Sequence, residues 1–90
     1  MHIEFDPVKD KLNRTNHGLS LSLAIELVWD EALVWLDDRF EYDELRMIGL
    51  APAGNRLYYV AFVDRDDVRR IISLRYAELR EIKYYVENIT

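Results

Sequence analysis

Arg69, Arg70, Arg75 and Arg80 fall close together on a segment that alternates polar and apolar side chains as far as Arg75 and turns helical from about Ala77. A strand that ends in a basic residue and passes almost at once into a helix gathers guanidinium groups where the two elements meet. A planar guanidinium grips two phosphate oxygens at once, so Arg75 is the first candidate for an anion site and Arg80 the second. Taken as pattern alone, the commoner arrangement is an edge strand whose arginines are solvated or paired with Glu78 or Glu81, for at most about 1 kcal/mol each. Proton transfer near neutrality has one central candidate, His17, because the unperturbed imidazole pKa is about 6.5. His17 also suits the last turn of a helix, where the dipole favours a cation with no further role.

The chain that must position these groups has 90 residues, half of them hydrophobic, and a net charge of −5. That length makes one small domain, residues 1–90, burying only about 60 to 65% of its unfolded surface, so a large enclosed active site is not expected. No apolar run approaches the roughly 20 residues that span a bilayer, and the acidic amino terminus does not resemble a signal peptide, so a cytoplasmic address without membrane contact is expected. With no cysteine and two widely separated histidines, neither disulfides, thiolate chemistry nor a metal or other cofactor is expected. The acidic balance argues at first against nucleic acid. It is uneven, however: residues 26–44 hold eight acids against Arg39, whereas residues 45–90 hold eight basic and six acidic side chains. A local basic patch can survive on such a molecule. The acidic middle taken alone serves solubility just as well.

Gly and Pro are few enough to read one by one. Asp6-Pro7 starts a helix that should run to about Asn16 and end at Gly18, with Val8 and Leu12 as its apolar contact line and Lys9, Asn13 and His17 on a polar face. Ser20 caps a second helix expected over residues 21–29. Strands are expected at 32–36, 46–50, 57–63 and 68–74, the third central because both its faces are apolar, with turns at Pro52–Asn55 and Asp64–Asp67. Residues 3–5 could add another strand. Trp29 and Trp35 should pack the core, and Ser73, with no His-Asp pair beside it, is a sheet residue. A last helix over about 77–88 sets Leu79, Ile82, Val86 and Ile89 on one stripe, the spacing of a helix laid on a sheet, with Glu81 and Tyr85 along its margin. The architecture expected is α+β: N-terminal helices, an antiparallel sheet of about four strands and a closing helix packed on it.

Read along its length, the chain resembles the BrnT family of bacterial toxins. The likeness rests on Phe5-Asp6-Pro7 with Lys9 and Asn13, on His17-Gly18, on Trp29-Asp30 and Ala32-Leu33-Val34-Trp35, and on Arg46-Met47-Ile48 and Gly54-Asn55-Arg56-Leu57-Tyr58. It continues through Arg70-Ile71-Ile72-Ser73-Leu74-Arg75, Ala77, Arg80-Glu81 and Tyr85. The resemblance implies a RelE-like fold, metal-independent cleavage of RNA, and a BrnA-type antitoxin that neutralises the toxin and carries it to operator DNA. Two positions depart from the family pattern, Asn16 and Tyr76, where lysines are usual.

Metal-free cleavage by a 2′-hydroxyl needs a base for the hydroxyl proton, an acid for the leaving 5′-oxygen and cations for the developing charge. With the resemblance, His17 takes a proton-transfer role with Glu81 as runner-up base, and Arg75 and Arg80 take the phosphate. Lys9 could reach an RNA backbone, and Tyr76 and Tyr85 could stack on bases, although a lone lysine and two tyrosines are more often solvated or core margins. A function of another class is a catalytically weakened module that only binds a DNA-binding antitoxin, favoured by Asn16, Tyr76 and the acidic middle.

Overall fold

The β-branched and aromatic run after Gly54 forms the longest strand of the molecule and the centre of its sheet. The computed structural model describes residues 1–39, 41 and 43–89. Its strands are β1 (His2–Phe5), β2 (Leu33–Leu36), β3 (Met47–Ala53), β4 (Arg56–Arg65) and β5 (Val68–Tyr76), with helices α1 (Pro7–His17) and α2 (Leu79–Asn88). The sheet order is β1-β5-β4-β3-β2. The α+β class holds, with β4 central, but the expected four antiparallel strands become five, because β1 joins β5 in parallel. Four residues are too few to show a strand period in the sequence.

β3 and β4 meet through Gly54-Asn55, where Ala53 pairs with Arg56 and Gly54 has φ +59°. Positive φ costs glycine nothing, which fits a two-residue hairpin. Pro52, expected in that turn, belongs to β3, beyond the last residue paired with β2, so its missing N–H deprives the ladder of nothing. β4 and β5 are in antiparallel register, with a bulge near Ile72: Phe62 pairs with Ile71, but Ala61 pairs with Ser73.

The single helix expected at 21–29 is instead two short 3-10 helices, Leu21–Glu26 and Trp29–Glu31, the first capped by Ser20. The buried residues of this segment, Leu21, Ala24 and Leu27, recur every three positions, the period of a 3-10 helix. They pack on Ala51, Tyr58, Val60, Phe62, Ile71 and Leu74 as the core. Trp29 joins its margin, with its indole N–H donating to the Ala24 carbonyl at 3.0 Å and its ring set edge-on to Phe62 at 5.3 Å. Trp35 does not pack the core as expected. It sits on edge strand β2, partly exposed, against Tyr84 at 6.2 Å.

α1 begins as its sequence requires, with Asp6 accepting from the Val8 N–H and Pro7 in the first turn, and ends at a left-handed Gly18. The face it buries is not the expected one. Val8 and Leu12 are 66% and 56% exposed, whereas Asn13 is 4% exposed. β1 pairs with β5 only as far as Ile71, so the β5 edge beyond it needs other partners. Asn13 supplies them: its amide donates to the carbonyls of Leu74 and Leu19, both at 2.8 Å, and its oxygen accepts from the Leu74 N–H at 3.0 Å. Asp10 adds a second polar anchor, accepting from the Leu21 N–H at 2.7 Å and the Ser20 hydroxyl at 2.9 Å. The Leu21 bond, with lesser help from Ser20 and Arg14 and against the cost of burial, holds the Asp10 carboxyl below its ordinary pKa.

Replacing Asn13 with Ala should leave one N–H and two carbonyls without partners. At roughly 1 to 3 kcal/mol per buried unpaired group, and with some relaxation, the expected loss is about 3 kcal/mol. A lower urea midpoint with an unchanged slope would measure it.

Candidate active site

Cross-strand register lines up Leu33, Leu50, Tyr59 and Arg75 on the sheet face opposite the core helices. The Arg75 guanidinium lies over the Tyr59 ring, 3.9 Å from its centroid. Its two terminal nitrogens donate to the two carboxylate oxygens of Glu81, each at 2.9 Å, and one of them also reaches the Tyr76 carbonyl at 3.1 Å. Glu81 has a second task. One of its oxygens accepts from the Glu78 N–H at 2.8 Å, and Glu78 answers at the Glu81 backbone, a capping box that starts α2. One carboxylate therefore fixes both the helix start and the guanidinium plane. Burial alone would raise the Glu81 pKa, but the bonds from Arg75 and the Glu78 N–H outweigh it and hold it below the ordinary value. The same pair raises the pKa of Arg75, against its own desolvation.

α2 does not lay its apolar stripe on the sheet. Leu79, Ile82, Val86 and Ile89 are 68%, 40%, 60% and 41% exposed, and the half-buried residues are the supposed margin, Glu81 and Tyr85. The Tyr85 hydroxyl donates to the Glu31 carbonyl at 2.7 Å, and its burial, with Glu31 nearby, raises its pKa. Hydrogen bonds that need direction have overridden apolar periodicity in choosing which side faces inward. A cavity of about 320 Å³ remains between helix and sheet, lined by Trp35, Leu50, Arg80, Glu81 and Tyr84.

The four arginines of the opening segment do not all converge. Arg69 is held by Asp64 at 2.7 Å over the rings of Phe62 and Trp29, and Arg70 pairs with Glu4 at 3.0 Å. Arg75 and Arg80 remain at the strand–helix junction, Arg80 exposed and 3.3 Å from Glu78. His17 is exposed in the last turn of α1, one turn beyond Asn13, and Lys9 is exposed one turn before it. Asn13, one turn before His17, is bonded to Leu74, the residue preceding Arg75, so α1 is fastened to the β5 edge at that point. No hydrogen bond or ion pair joins His17 to Arg75 or Glu81 among the described residues. Tyr76 stacks on Tyr58 at 5.5 Å and carries Arg56 4.6 Å over its ring. Tyr59 was not among the sequence candidates, and only the register across β4 and β5 brings it beneath Arg75. Among the described residues no cluster of three or more His, Asp or Glu has metal-site geometry, and no helix is long and apolar enough to cross a membrane.

The lowered Glu81 pKa fixes a pH dependence. A carboxyl depressed on folding adds stability above its unfolded value, about 4.3, and that stability disappears as pH falls through the lower folded value. Hydrogen-exchange protection of the α2 amides should thus be flat from neutrality to about pH 5 and fall below about pH 4. Glu81→Gln should lower that protection about fivefold at neutral pH, near 1 kcal/mol, and abolish the acid step.

Residues 5–81 match the family model described as ribonuclease toxin, BrnT, of type II toxin-antitoxin system, while no curated protein matches. The matched span runs from the last residue of β1 into the first turn of α2, and so takes in Asn13, His17, Arg75 and Glu81. Tyr85 lies outside it. A chain matched over all but its two ends, with the strand–helix junction inside the match, belongs to the BrnT family of ribonuclease toxins, whose type II systems pair each toxin with an antitoxin.

Proposed function

We propose that this chain is a metal-independent endoribonuclease that cuts single-stranded RNA in the cytoplasm and so arrests translation. In the same proposal it has a RelE-like fold, is neutralised by a BrnA-type antitoxin, and meets operator DNA only within that complex. The observation that carries the proposal is the Asn13 clamp, which ties the helical face bearing His17 to the residue preceding Arg75. His17, exposed and without an ion pair among the described residues, takes the 2′-hydroxyl proton or returns one to the departing 5′-oxygen. Attack of the 2′-oxygen on phosphorus forms the cyclic phosphate as the bond to the 5′-oxygen breaks. Negative charge grows on the phosphoryl oxygens, and Arg75 is aimed to meet it, its plane fixed beforehand by Tyr59 and Glu81. Glu81 suits holding Arg75 better than taking a proton, since both its oxygens already accept and its pKa is lowered. Arg80 is exposed and can swing to a phosphate, and Lys9 extends the cationic line along α1. Tyr76 offers a base a ring only by yielding the face that Arg56 covers, whereas Tyr85 serves as the tether of α2.

The closed Arg75–Glu81 pair favours a second function, a weakened relative that chiefly binds its antitoxin, because phosphate must compete with a carboxylate already in place. Asn16 and Tyr76, standing where the family usually has lysines, point the same way.

RNA cleavage in EDTA separates the two. Wild type should cut, His17→Ala should fall by about 10²- to 10⁴-fold, and Arg75→Lys should lose most activity because one ammonium cannot replace a planar fork. Equal cleavage by all three, or none by wild type, would leave only the binding module. Expression without antitoxin gives the cellular counterpart: growth arrest by wild type and none by His17→Ala.

A further inference from the structure

β2 stands at one end of the sheet, so its outer edge has no strand beside it among the described residues. The Asp37 N–H donates to the Arg46 carbonyl at 2.8 Å, and antiparallel pairs alternate between bonded and unbonded. Leu33 and Trp35 therefore direct their backbone groups toward β3, while Val34 and Leu36 direct theirs outward. The strand reads Leu-Val-Trp-Leu, and Val34, Trp35 and Leu36 are all exposed. Sheet edges are ordinarily guarded by charge, proline or a bulge, and β2 has none of these. The opposite side of the sheet is treated differently: β1 carries Glu4 in an ion pair with Arg70, and the β5 edge beyond it is closed by Asn13. An apolar edge left open on a chain that guards its other edge is a pairing site.

The charges around it select the occupant. Asp30 and Glu31 precede β2, and Asp38, Glu41 and Asp43 follow it, all exposed. Two copies joined antiparallel through β2 would bring the acids after one strand against those before the other, an arrangement that like charges oppose. A strand flanked by lysine or arginine meets attraction at both ends. We infer that the free edge of β2 receives an extended, cation-flanked segment of the antitoxin as a sixth strand of the sheet. Backbone bonds to Val34 and Leu36 hold it, and the acidic flanks set its register and speed its arrival. The inference rests on the assignment to a toxin–antitoxin system but not on catalysis. The exposed stripe of α2 lies nearby through the Trp35–Tyr84 contact, so a partner that continues past the strand can cover Ile82 and Val86 as well.

The test uses the full chain and the antitoxin encoded with it. Leu36→Lys places a cation where the cationic segment must lie, and Val34→Pro removes an outward N–H that β3 does not use. Each should weaken antitoxin affinity at least about tenfold, and the wild-type complex should protect the Val34 and Leu36 amides from hydrogen exchange. In cells both variants should still arrest growth and should escape rescue by the antitoxin. Unchanged affinity in both variants, absence of any wild-type complex, or loss confined to Ile82→Lys would overturn the inference, as would a dimer of free protein that Leu36→Lys dissolves. If wild type binds antitoxin but neither cuts RNA nor arrests growth, the enzymatic proposal fails alone, because affinity and exchange still report on β2.

Discussion

Two hydrogen bonds from one buried amide hold the amino-terminal third of this molecule to the carboxy-terminal third. Asn13 bonds to Leu74, past the Ile71 at which pairing with β1 ends, so a side chain takes over where the strand stops. Without it the sheet edge beside the candidate site would have an unpaired N–H and C=O, and the last turn of α1 would lose its register against β5. A third bond, to the Leu19 carbonyl, fixes the chain as it leaves α1 for the core-forming 3-10 segment.

The same preference for directional anchors runs through the fold. α1 is seated by Asn13 and Asp10, and α2 by Glu81 and Tyr85, while the apolar residues of both helices face outward. Apolar burial is concentrated in the sheet and the 3-10 segment, where Leu21, Phe62, Ile71 and Leu74 are fully enclosed. A helix held by a few polar bonds gives up less hydrophobic energy on moving than one seated on a greasy face. In a family whose type II systems pair toxin with antitoxin, apolar surface left open in the free chain is surface that a partner can cover.

Much of the scaffold was legible in the residues themselves. Asp6-Pro7 and Gly18 bracket α1, Gly54-Asn55 sets the hairpin, and the two-sided apolar run from Leu57 to Val63 is the central strand. What misled was helical periodicity. Val8 with Leu12, and Leu79 with Ile82 and Val86, have the spacing of buried faces, yet spacing cannot reveal that buried carbonyls elsewhere demand an amide or a hydroxyl more urgently. At the site, Arg75 and Glu81 could be picked out as residue types near a strand–helix junction. Their pairing, and the separate ion pairs that remove Arg69 and Arg70 from that junction, depend on contacts with Glu4, Tyr59 and Asp64 that lie far off in sequence or on other strands.

The extra residue that β5 carries near Ile72 works as a phase shifter. Up to that point each residue of β5 faces the side that a plain count back from the hairpin end assigns to it; after it, the count is displaced by one. Leu74 is thereby delivered into the oily interior and Arg75 to the opposite surface. Pair the same residues without that bulge and the far half of the strand would invert, turning a leucine away from the interior and a guanidinium onto the face of Tyr58 and Val60. The chemistry of this junction thus depends on the parity of one strand as much as on the identity of any residue along it.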